Sequence, residues 1–323
     1  MFREVLDARL PEYDPWFYEY CGTLDDPASV AIFLRHLNDR LEFGGVQAEG
    51  RCVLDAGCGF GFTLVALAAL GAAKAHGIEI YEPMVHTMRR YMTLLPSELA
   101  DRIRLLHGDV SEMPYGDDSF DLVVSFEAIS HYRDVDAFIR DAYRVLRPGG
   151  VLVVSDGNNG LNPLIRKKTR DLWDAFELGP KGVRVHGHVV EHHYEEERRQ
   201  YVVQVFPDVP AERMAHETFD MTLPEVAAAC ERYRLDGTFP GSVYDRRTVP
   251  LNPNDGTVIE RLFNPYALAG RMRAVGFNTR TQGYWGGASG RKILRMANAA
   301  LRALSPITIV TARSFIIAAR KRM

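Results

Sequence analysis

Five short apolar runs between Arg51 and Asp156 alternate with helical patterns, and this alternation limits the fold more than any other feature. The runs are RCVLDAG, AKAHGIEI, IRLLHGD, FDLVVSFE and VLVVSDG, each bounded by Gly, Asp or Pro. The segments TLVALAALG, EPMVHTMRRYMTLL and DVDAFIRDAYRVL have apolar residues at helical spacing. Strands that alternate with helices form right-handed βαβ units. The sequence therefore predicts a doubly wound, mostly parallel α/β sheet with helices on both faces.

The alternation stops after the fifth run and returns near the C-terminus. Residues 157–263 are rich in charge, Pro and aromatic residues, and a structureless loop of that length is rare in a compact domain. We therefore predict an N-terminal helical lid (1–50), a cofactor-binding α/β core (51–156), an inserted substrate-binding cap (157–263) and a C-terminal completion of the core (264–323). Within the last part, NTRTQGYW and SFIIAAR are typical of strands, and 291–304 is typical of a basic amphipathic helix.

The composition limits which partners the protein is expected to bind and in which cellular compartment it is expected to lie. The 323 residues carry a formal net charge of −3, which gives no reason to expect nucleic acid or a membrane as a partner. The four cysteines form no CxxC pair, which favours a reducing compartment over a disulfide scaffold. Charges interrupt the N-terminal segment, unlike a signal peptide. We expect a cytoplasmic protein, and the sequence leaves a homo-oligomer open.

Three glycines at alternate positions follow the first predicted strand, in VLDAGCGFG. Gly57, Gly59 and Gly61 lack the Cβ atoms that would keep a ligand away from the backbone. In parallel α/β sheets, ligands bind beyond the carboxyl ends of the strands. The dinucleotide fingerprint GxGxxG would need a glycine where Phe62 stands. The pattern here is DxGxGxG, with Asp55 two residues before the first glycine.

Three acidic residues stand at the ends of the first three predicted strands. Asp55 can attract an ammonium group, and Glu79 can accept hydrogen bonds from two ribose hydroxyls. Asp109 can accept a hydrogen bond from the exocyclic amine of adenine. Ammonium, ribose and adenine on one carrier without a phosphate describe S-adenosylmethionine. The ordered set of acids therefore predicts this cofactor rather than a dinucleotide.

The motifs VLDAGCGFG, GIEI, HGDVSEMPYGDDSFDLVVSFEAISHY and LRPGGVLVVSD resemble, in order, those of class I S-adenosylmethionine-dependent methyltransferases. The likeness is to the small-molecule group in particular, and it covers residues 13–156 and the C-terminal helix and strands. It implies a Rossmann-like, seven-stranded sheet whose last strand, SFIIAAR, is inserted antiparallel. The inserted cap matches no motif of the family, so the resemblance does not identify the acceptor.

The resemblance also implies a set of residues that contact the cofactor. They are Asp55, Gly57 and Gly59 near the methionine part, Glu79 at the ribose, Ile80, Asp109 and Val110 at the adenine, and Ser125 and Phe126 beyond the fourth strand.

The segment YDPWFYEY holds five aromatic residues within eight positions. It predicts an aromatic lid, with Tyr18 among its members, whose ring faces attract the cationic sulfonium and exclude water. The alternative is a hydrophobic N-terminal helix docked on the core, and the two roles are compatible.

His131, just past the fourth predicted strand, is the first candidate for a general base. A neutral imidazole can remove a proton from a hydroxyl or ammonium group near neutral pH. The alternative is a residue that shapes the cofactor pocket or caps the next helix.

A second group of histidines lies in VRVHGHVVEHHYEEERRQ. His192 and His193 are the second candidates for a base or a substrate contact, and His186 and His188 stand nearby. No spacing matches a standard metal motif, so we predict no metal. A solvated charged face is the plainer alternative.

Together these features predict an S-adenosylmethionine-dependent methyltransferase, with S-adenosylhomocysteine as product. The acceptor would be an oxygen or nitrogen of a small to medium organic molecule, in biosynthesis. Nucleic-acid and protein-amide N-methyltransferases carry an Asn/Asp-Pro-Pro-Tyr/Phe motif after the fourth strand, whereas SFEA stands here without a proline. A binding protein or a non-methylating enzyme on the same fold remains the alternative.

Overall fold

The computed structural model of the chain describes residues 13–185, 188–190, 192–285 and 292–323. They form two compact units. The first contains the described residues up to Ile129, with Asp134–Leu161 and Asn264–Met323. The second contains Ser130–Arg133 and Asn162–Phe263.

Thirteen α-helices are present in the described ranges, and none is long and apolar enough to cross a lipid bilayer. In chain order they are α1 (Pro15–Gly22), α2 (Pro27–Gly44), α3 (Phe62–Ala69), α4 (Glu82–Met92), α5 (Ser97–Ala100), α6 (Val135–Val145), α7 (Pro163–Glu177), α8 (Tyr194–Val205), α9 (Ala211–His216), α10 (Leu223–Asp236), α11 (Pro265–Val275), α12 (Lys292–Ala303) and α13 (Ser305–Thr308). Two 3₁₀ turns are at Ile129–His131 and Ile309–Thr311.

The first unit is built on a seven-stranded sheet. Its strands and those of a separate hairpin are β1 (Cys52–Ala56), β2 (Lys74–Glu79), β3 (Ile103–His107), β4 (Phe120–Phe126), β5 (Leu146–Asp156), β6 (Val183–Val185), β7 (His188–Val190), β8 (Asn278–Tyr284) and β9 (Ser314–Arg320). The sheet order is β3-β2-β1-β4-β5-β9-β8. Strands β1 to β5 pair in parallel, and β9 runs antiparallel to both β5 and β8. The predicted Rossmann-like fold with an inserted antiparallel strand is confirmed.

The apolar residues that the sequence pattern assigns to the core are buried in the structure. In β4, Leu122, Val123 and Val124 are fully buried, as expected of a parallel strand with helices on both faces. In α6 the apolar residues at helical spacing are buried, whereas the charged residues between them are not. The N-cap Asp134 accepts a hydrogen bond from the Ala137 N–H at 2.8 Å, which fixes the start of α6.

The start of β5 differs from the prediction. The fifth strand was predicted from Val151, after Arg147-Pro148-Gly149-Gly150, whereas α6 ends at Val145 and β5 already begins at Leu146. The Gly149 N–H donates to the Lys321 carbonyl, and the Lys321 N–H donates to the Gly150 carbonyl. These pairings with the C-terminal segment, which is distant in sequence, extend the strand.

The second unit is mostly helical and contains a buried ion pair. Arg198 of α8 binds the carboxylate of Glu177 at the end of α7, and both side chains are fully buried. Arg198 Nε also donates to the Ala215 carbonyl at 3.2 Å. Burial raises the pKa of Glu177 to about 7, although Arg198 opposes that shift. A buried charge pair of this kind fixes the relative placement of the helices that supply it.

A substitution of Gly77 in β2 tests how closely the residues beneath the glycine loop are packed. A Cβ at this position would lie 2.6 Å from Leu64 Cδ2 and 2.8 Å from Cys58 Sγ. We expect Gly77→Ala to lower the free energy of unfolding by about 1–3 kcal/mol, the usual cost of overpacking a core. Urea titration followed by circular dichroism measures the change.

Gly270 in α11 is the matched control. Its Cβ would meet only the flexible Arg273 Nη2, at 3.6 Å, among the described residues. Gly270→Ala should therefore raise stability slightly, by about 0.5–1 kcal/mol, as alanine does in a helix. Equal effects of the two substitutions would contradict the close packing inferred at Gly77.

Candidate active site

The glycine loop connects β1 to α3 through three left-handed backbone positions. The φ angles of Gly57, Gly59 and Gly61 are 69°, 52° and 74°, a region that disfavours a Cβ. A Cβ at Gly61 would lie 2.2 Å from Met88 Sδ, so Gly61 is required for packing against α4. At Gly59 it would meet only Met84 Sδ among the described atoms, at 3.8 Å. Hence Gly59 provides space beside the loop, whereas Gly61, contrary to the sequence interpretation, serves the core.

Asp55 is buried within β1 rather than standing at the mouth of the loop. Only 2% of its surface is exposed, and its Oδ2 has no hydrogen-bond partner among the described residues. Burial, and next the negative charge of Glu79, raise the pKa of Asp55 to about 7. An unpaired buried carboxylate oxygen is costly. A cationic group bound beside Asp55 would remove that cost.

Glu79 is the last residue of β2 and holds the glycine loop against the sheet. Its Oε2 accepts the Gly59 N–H at 2.8 Å, and its Oε1 accepts the Tyr81 N–H at 3.0 Å. A carboxylate offers about four lone-pair positions. After these two bonds, one position on each oxygen remains for a pair of hydroxyl groups.

The predicted adenine contacts lie at the ends of β2 and β3. Ile80 is 46% exposed and offers an apolar surface next to Glu79. Asp109 is exposed and lies two residues beyond the end of β3 rather than within it. Its Oδ1 accepts the Ser111 N–H at 2.8 Å, which fixes the turn. The Val110 side chain is buried, with 6% of its surface exposed.

The end of β4 contains a predicted pair of residues and one that the sequence interpretation missed. The Ser125 side chain is fully buried and Phe126 is partly buried. Glu127 follows with a φ of 52°, a left-handed conformation that is strained for a residue with a side chain. Its Oε1 accepts from Arg40 Nη2 at 2.9 Å and its Oε2 from the Gly157 N–H at 2.8 Å. The sequence could have indicated this residue, because Glu127 is an acid directly after the predicted strand FDLVVSF.

Arg40 contacts both Glu127 and two aromatic rings. Its guanidinium lies 4.9 Å from the centre of the Phe126 ring and 5.6 Å from that of Tyr284. His36 Nδ1 is hydrogen-bonded to the Tyr284 hydroxyl at 2.5 Å. Burial, and next the charge of Arg40, lower the pKa of His36, so the neutral ring accepts this bond. No single stretch of sequence indicates this cluster, because its members come from α2, β4 and β8.

The aromatic helix α1 packs against the glycine loop. Phe17 is fully buried and stacks on Phe62 and Tyr91, with ring centres 5.9 and 5.4 Å apart. Tyr18 is partly buried and meets Phe17 edge-on at 6.0 Å. Trp16 lies 6.5 Å from Tyr81, which follows Ile80. The docked-helix alternative therefore describes α1, and its position beside the loop keeps the lid role compatible with it.

His131 lies in the second unit, in the 3₁₀ turn that follows β4. The ring is exposed, and its Nδ1 is 3.1 Å from the Val258 carbonyl. A carbonyl only accepts, so Nδ1 donates this bond, and in the neutral ring the lone pair is then on Nε2. This is the tautomer that a general base requires.

The other histidines have varied surroundings. His193 Nδ1 accepts the Glu196 N–H at 3.2 Å and caps α8, and His192 is exposed. His186 lies outside the described residues, and only the backbone of His188 is described. In the described part of the chain, no group of three His, Cys, Asp or Glu side chains could hold a metal ion. Catalysis by His192 or His193 remains a prediction.

The donor set fits S-adenosylmethionine. Asp55 supplies an unpaired buried carboxylate oxygen for an ammonium group, and Glu79 has free lone pairs for two hydroxyls. Ile80 offers an exposed apolar surface for a flat ring. The left-handed loop at Gly59 leaves room between these groups.

Comparison with known proteins identifies the same class. The model of a methyltransferase domain family matches residues 54–154. A "probable S-adenosylmethionine-dependent methyltransferase" of Mycolicibacterium smegmatis is 39% identical over 113 residues, which is 35% of this chain and 40% of that protein. The 27-O-demethylrifamycin SV methyltransferase of Amycolatopsis mediterranei is 35% identical over 132 residues, 41% of this chain and 48% of that protein.

A solved methyltransferase structure from Mesorhizobium loti aligns with 88% of this chain and 98% of its own, at 14% identity and a TM-score of 0.47. Residues 54–154 belong to the class I S-adenosylmethionine-dependent methyltransferases. The predicted family and its cofactor are confirmed. The matches span less than half the length of the two curated relatives.

Asp55 makes cofactor binding depend on pH. Its pKa of about 7 means that the carboxyl is largely protonated below pH 7 in the free protein. A bound ammonium group favours the carboxylate, so the proton must leave on binding. Affinity for S-adenosylhomocysteine should rise by up to about tenfold per pH unit below 7 and level off above. Isothermal titration calorimetry in two buffers of different ionisation enthalpy measures the released proton.

Asp55→Asn is the control for this titration, because it cannot release the proton. We expect it to bind more weakly and to lose the protein's part of the pH dependence. An equal pH slope in the two proteins would refute the role of Asp55, since the ligand's own amino group titrates in both.

Glu79→Ala tests Glu79 as the predicted acceptor of two ligand hydroxyls, and it also removes the carboxylate that anchors the glycine loop. The dissociation constant for S-adenosylhomocysteine should rise at least about tenfold, since a hydrogen bond to a charged group contributes about 1.5–3 kcal/mol. Glu82→Ala is the matched control, because Glu82 is exposed in the first turn of α4. Binding by Glu79→Ala that equals the Glu82→Ala control would contradict this assignment.

Proposed function

We propose that the chain transfers a methyl group from S-adenosylmethionine to an oxygen or nitrogen atom of a small to medium organic molecule. The observation that carries the proposal is the unpaired, buried Asp55 Oδ2 beside Glu79. An ammonium-bearing nucleoside completes this site, whereas a dinucleotide pyrophosphate would be repelled by it. The rifamycin relative, whose name specifies methylation at an oxygen, supports an oxygen acceptor and a biosynthetic role.

The residues of the first unit bind and orient the cofactor. When bound, it supplies a methyl group that is already activated by the positive sulfonium. Asp55 fixes the amino-acid end and Glu79 fixes the ribose, so the methyl group has one orientation relative to the sheet. Helix α1 excludes water from the loop through the packing of Phe17 on Phe62. Orientation and exclusion of water are therefore the main contributions of this unit.

His131 is our first choice for the base that removes the acceptor proton. Its Nδ1 donates to the Val258 carbonyl, which leaves the Nε2 lone pair available. His192 and His193 are the second choices. The Nδ1 lone pair of His193 accepts the Glu196 N–H that caps α8, so in the neutral ring Nε2 carries the proton, and His193 would have to release this cap to act as a base.

The cap, predicted over residues 157–263, is proposed to bind the acceptor. The second unit covers most of that range and also contains His131. The Arg261 N–H donates to the Ser130 carbonyl at 2.9 Å, so the last part of this unit holds the turn that carries the base. The four free cysteines, three of them buried, support a reducing, cytoplasmic location.

Transfer of a labelled methyl group tests the function. The full chain is incubated with S-adenosylmethionine that carries an isotopic methyl group and with small metabolites extracted from the source organism. Mass spectrometry should find a labelled product, and its fragmentation locates the acceptor atom. His131→Ala should slow its formation by about 10²–10⁴-fold, the usual contribution of a general base, with cofactor affinity unchanged.

His216→Ala is the matched control, because His216 is a half-exposed histidine of the second unit. The double variant Glu79→Ala, Asp109→Ala should give no product. Tight cofactor binding without any labelled product would favour a non-methylating protein on this fold. Full activity in His131→Ala would remove His131 from the mechanism but leave the methyltransferase assignment intact.

A further inference from the structure

The charges of the chain are divided unevenly along its length. Residues 261–323 contain 12 Lys and Arg and no Asp or Glu, so they carry +12. The preceding 260 residues hold the remaining 27 basic residues and all 42 acidic ones, which gives −15. The total of −3 therefore conceals a strongly basic C-terminal part.

Within this part, α12 and α13 attach to the first unit through polar side chains. Arg302 Nη2 lies 3.4 Å from Asp39 Oδ2 of α2. Ser305 is buried, and its Oγ accepts the Gly283 N–H of β8 at 2.7 Å. The guanidinium of Arg302 also lies 5.5 Å from the centre of the Tyr284 ring. The side that meets the protein thus includes the polar Arg302 and Ser305, together with the buried apolar Ile309.

The opposite face is apolar and open to solvent. Met296 is 64% exposed, Leu304 58%, Ile307 78% and Val310 45%. The residues between them at helical spacing are exposed alanines, namely Ala299, Ala300 and Ala303. We call these seven residues the outer helical surface. A continuous exposed apolar surface of this kind departs from the usual pattern of a surface helix, whose apolar residues face the core.

The outer helical surface lies at the carboxyl edge of the sheet. It belongs to the connection from the end of β8 at Tyr284 to the start of β9 at Ser314. In the sheet, Tyr284 of β8 lies opposite Ser314 of β9, and Asp156 of β5 lies opposite Phe315 of β9. The connection from β8 to β9 is therefore at the edge of the sheet where β5 ends. The glycine loop follows β1 at the same edge, because β1, β4 and β5 are parallel.

We propose that the outer helical surface docks on the surface of an anionic lipid bilayer. An exposed apolar helix face with basic surroundings lies in the interface plane, with its apolar side chains among the lipid headgroups. Arg313 is exposed just after the surface, and the sequence RKILR leads into it. A second copy of the chain docked on this surface would bring together two copies of residues 291–313, which contain five basic residues and no acidic one, and like-charge repulsion disfavours this. The proposal is independent of the methyl-transfer reaction.

Vesicle flotation with the full chain tests the proposal. The protein should float with vesicles of equimolar phosphatidylglycerol and phosphatidylcholine, and much less with phosphatidylcholine alone. Binding should weaken as salt is added, since the attraction between exposed charges is screened. The double variant Leu304→Asp, Ile307→Asp should lower partitioning at least about tenfold, because it places two charges in the apolar contact. Arg313→Glu should lower it by a smaller factor.

Leu235→Asp is the matched control. Leu235 is 87% exposed on α10 in the other unit, so its substitution should leave partitioning unchanged. Calorimetry with S-adenosylhomocysteine should give equal affinity in all variants, which separates a failure of docking from a failure of the cofactor site.

Three results would overturn the proposal. One is equal binding to neutral and anionic vesicles, or none to either. Another is a self-associated wild type that the Leu304→Asp, Ile307→Asp variant converts to monomer, which would assign the surface to a second copy of the chain. The third is tighter binding to duplex nucleic acid than to the anionic vesicles, with an affinity for nucleic acid that the Leu304→Asp, Ile307→Asp variant leaves unchanged.

Discussion

The hydrogen bond from the Gly59 N–H to the Glu79 carboxylate is the contact on which the site depends. It ties the turn after β1 to the end of β2, so the loop and the acid have one relative position. The second oxygen of Glu79 binds the Tyr81 N–H, and this fixes the backbone that presents Ile80. A carboxylate that is already oriented by backbone donors loses little further freedom when a ligand binds. Glu79 therefore both orients the glycine loop and keeps lone pairs for the predicted contact with a diol.

Asp55 shows how the fold prepares the site for a charged ligand. The strand buries a carboxyl beside a second acid, and both effects favour its neutral form. A ligand with an ammonium group reverses this preference and satisfies the unpaired oxygen. The proposed selectivity against dinucleotides would then have a physical cause, because a pyrophosphate would add a third negative charge beside Asp55 and Glu79.

The end of β4 combines strain with a fixed charge. Glu127 keeps a left-handed conformation because its N–H bonds to the Ser155 carbonyl and its carboxylate is held by Arg40 and Gly157. Gly157 fits there because even a Cβ would lie 3.3 Å from the Glu127 carboxylate. Strain that the surroundings maintain in this way is concentrated at functional sites in proteins. Glu127 therefore belongs to the candidate active site beside the predicted Phe126.

The sequence by itself determined the parallel α/β core, the order of its strands and helices along the chain, and the identity of the acids near the strand ends, because burial periodicity and glycine spacing are local properties of the chain. The seven-stranded sheet with its inserted antiparallel strand was implied only by the resemblance to the methyltransferase family. The extension of β5 through LRPGG was not predicted, since its strand pairing is made with Lys321, far along the chain. The separate roles of Gly59 and Gly61 also depended on tertiary contacts with α4. The Arg40–Glu127 pair joins residues 87 positions apart, and the polar inner face of α12 needs partners from α2. Only the tertiary structure decides such contacts, because they depend on which distant elements the fold places side by side.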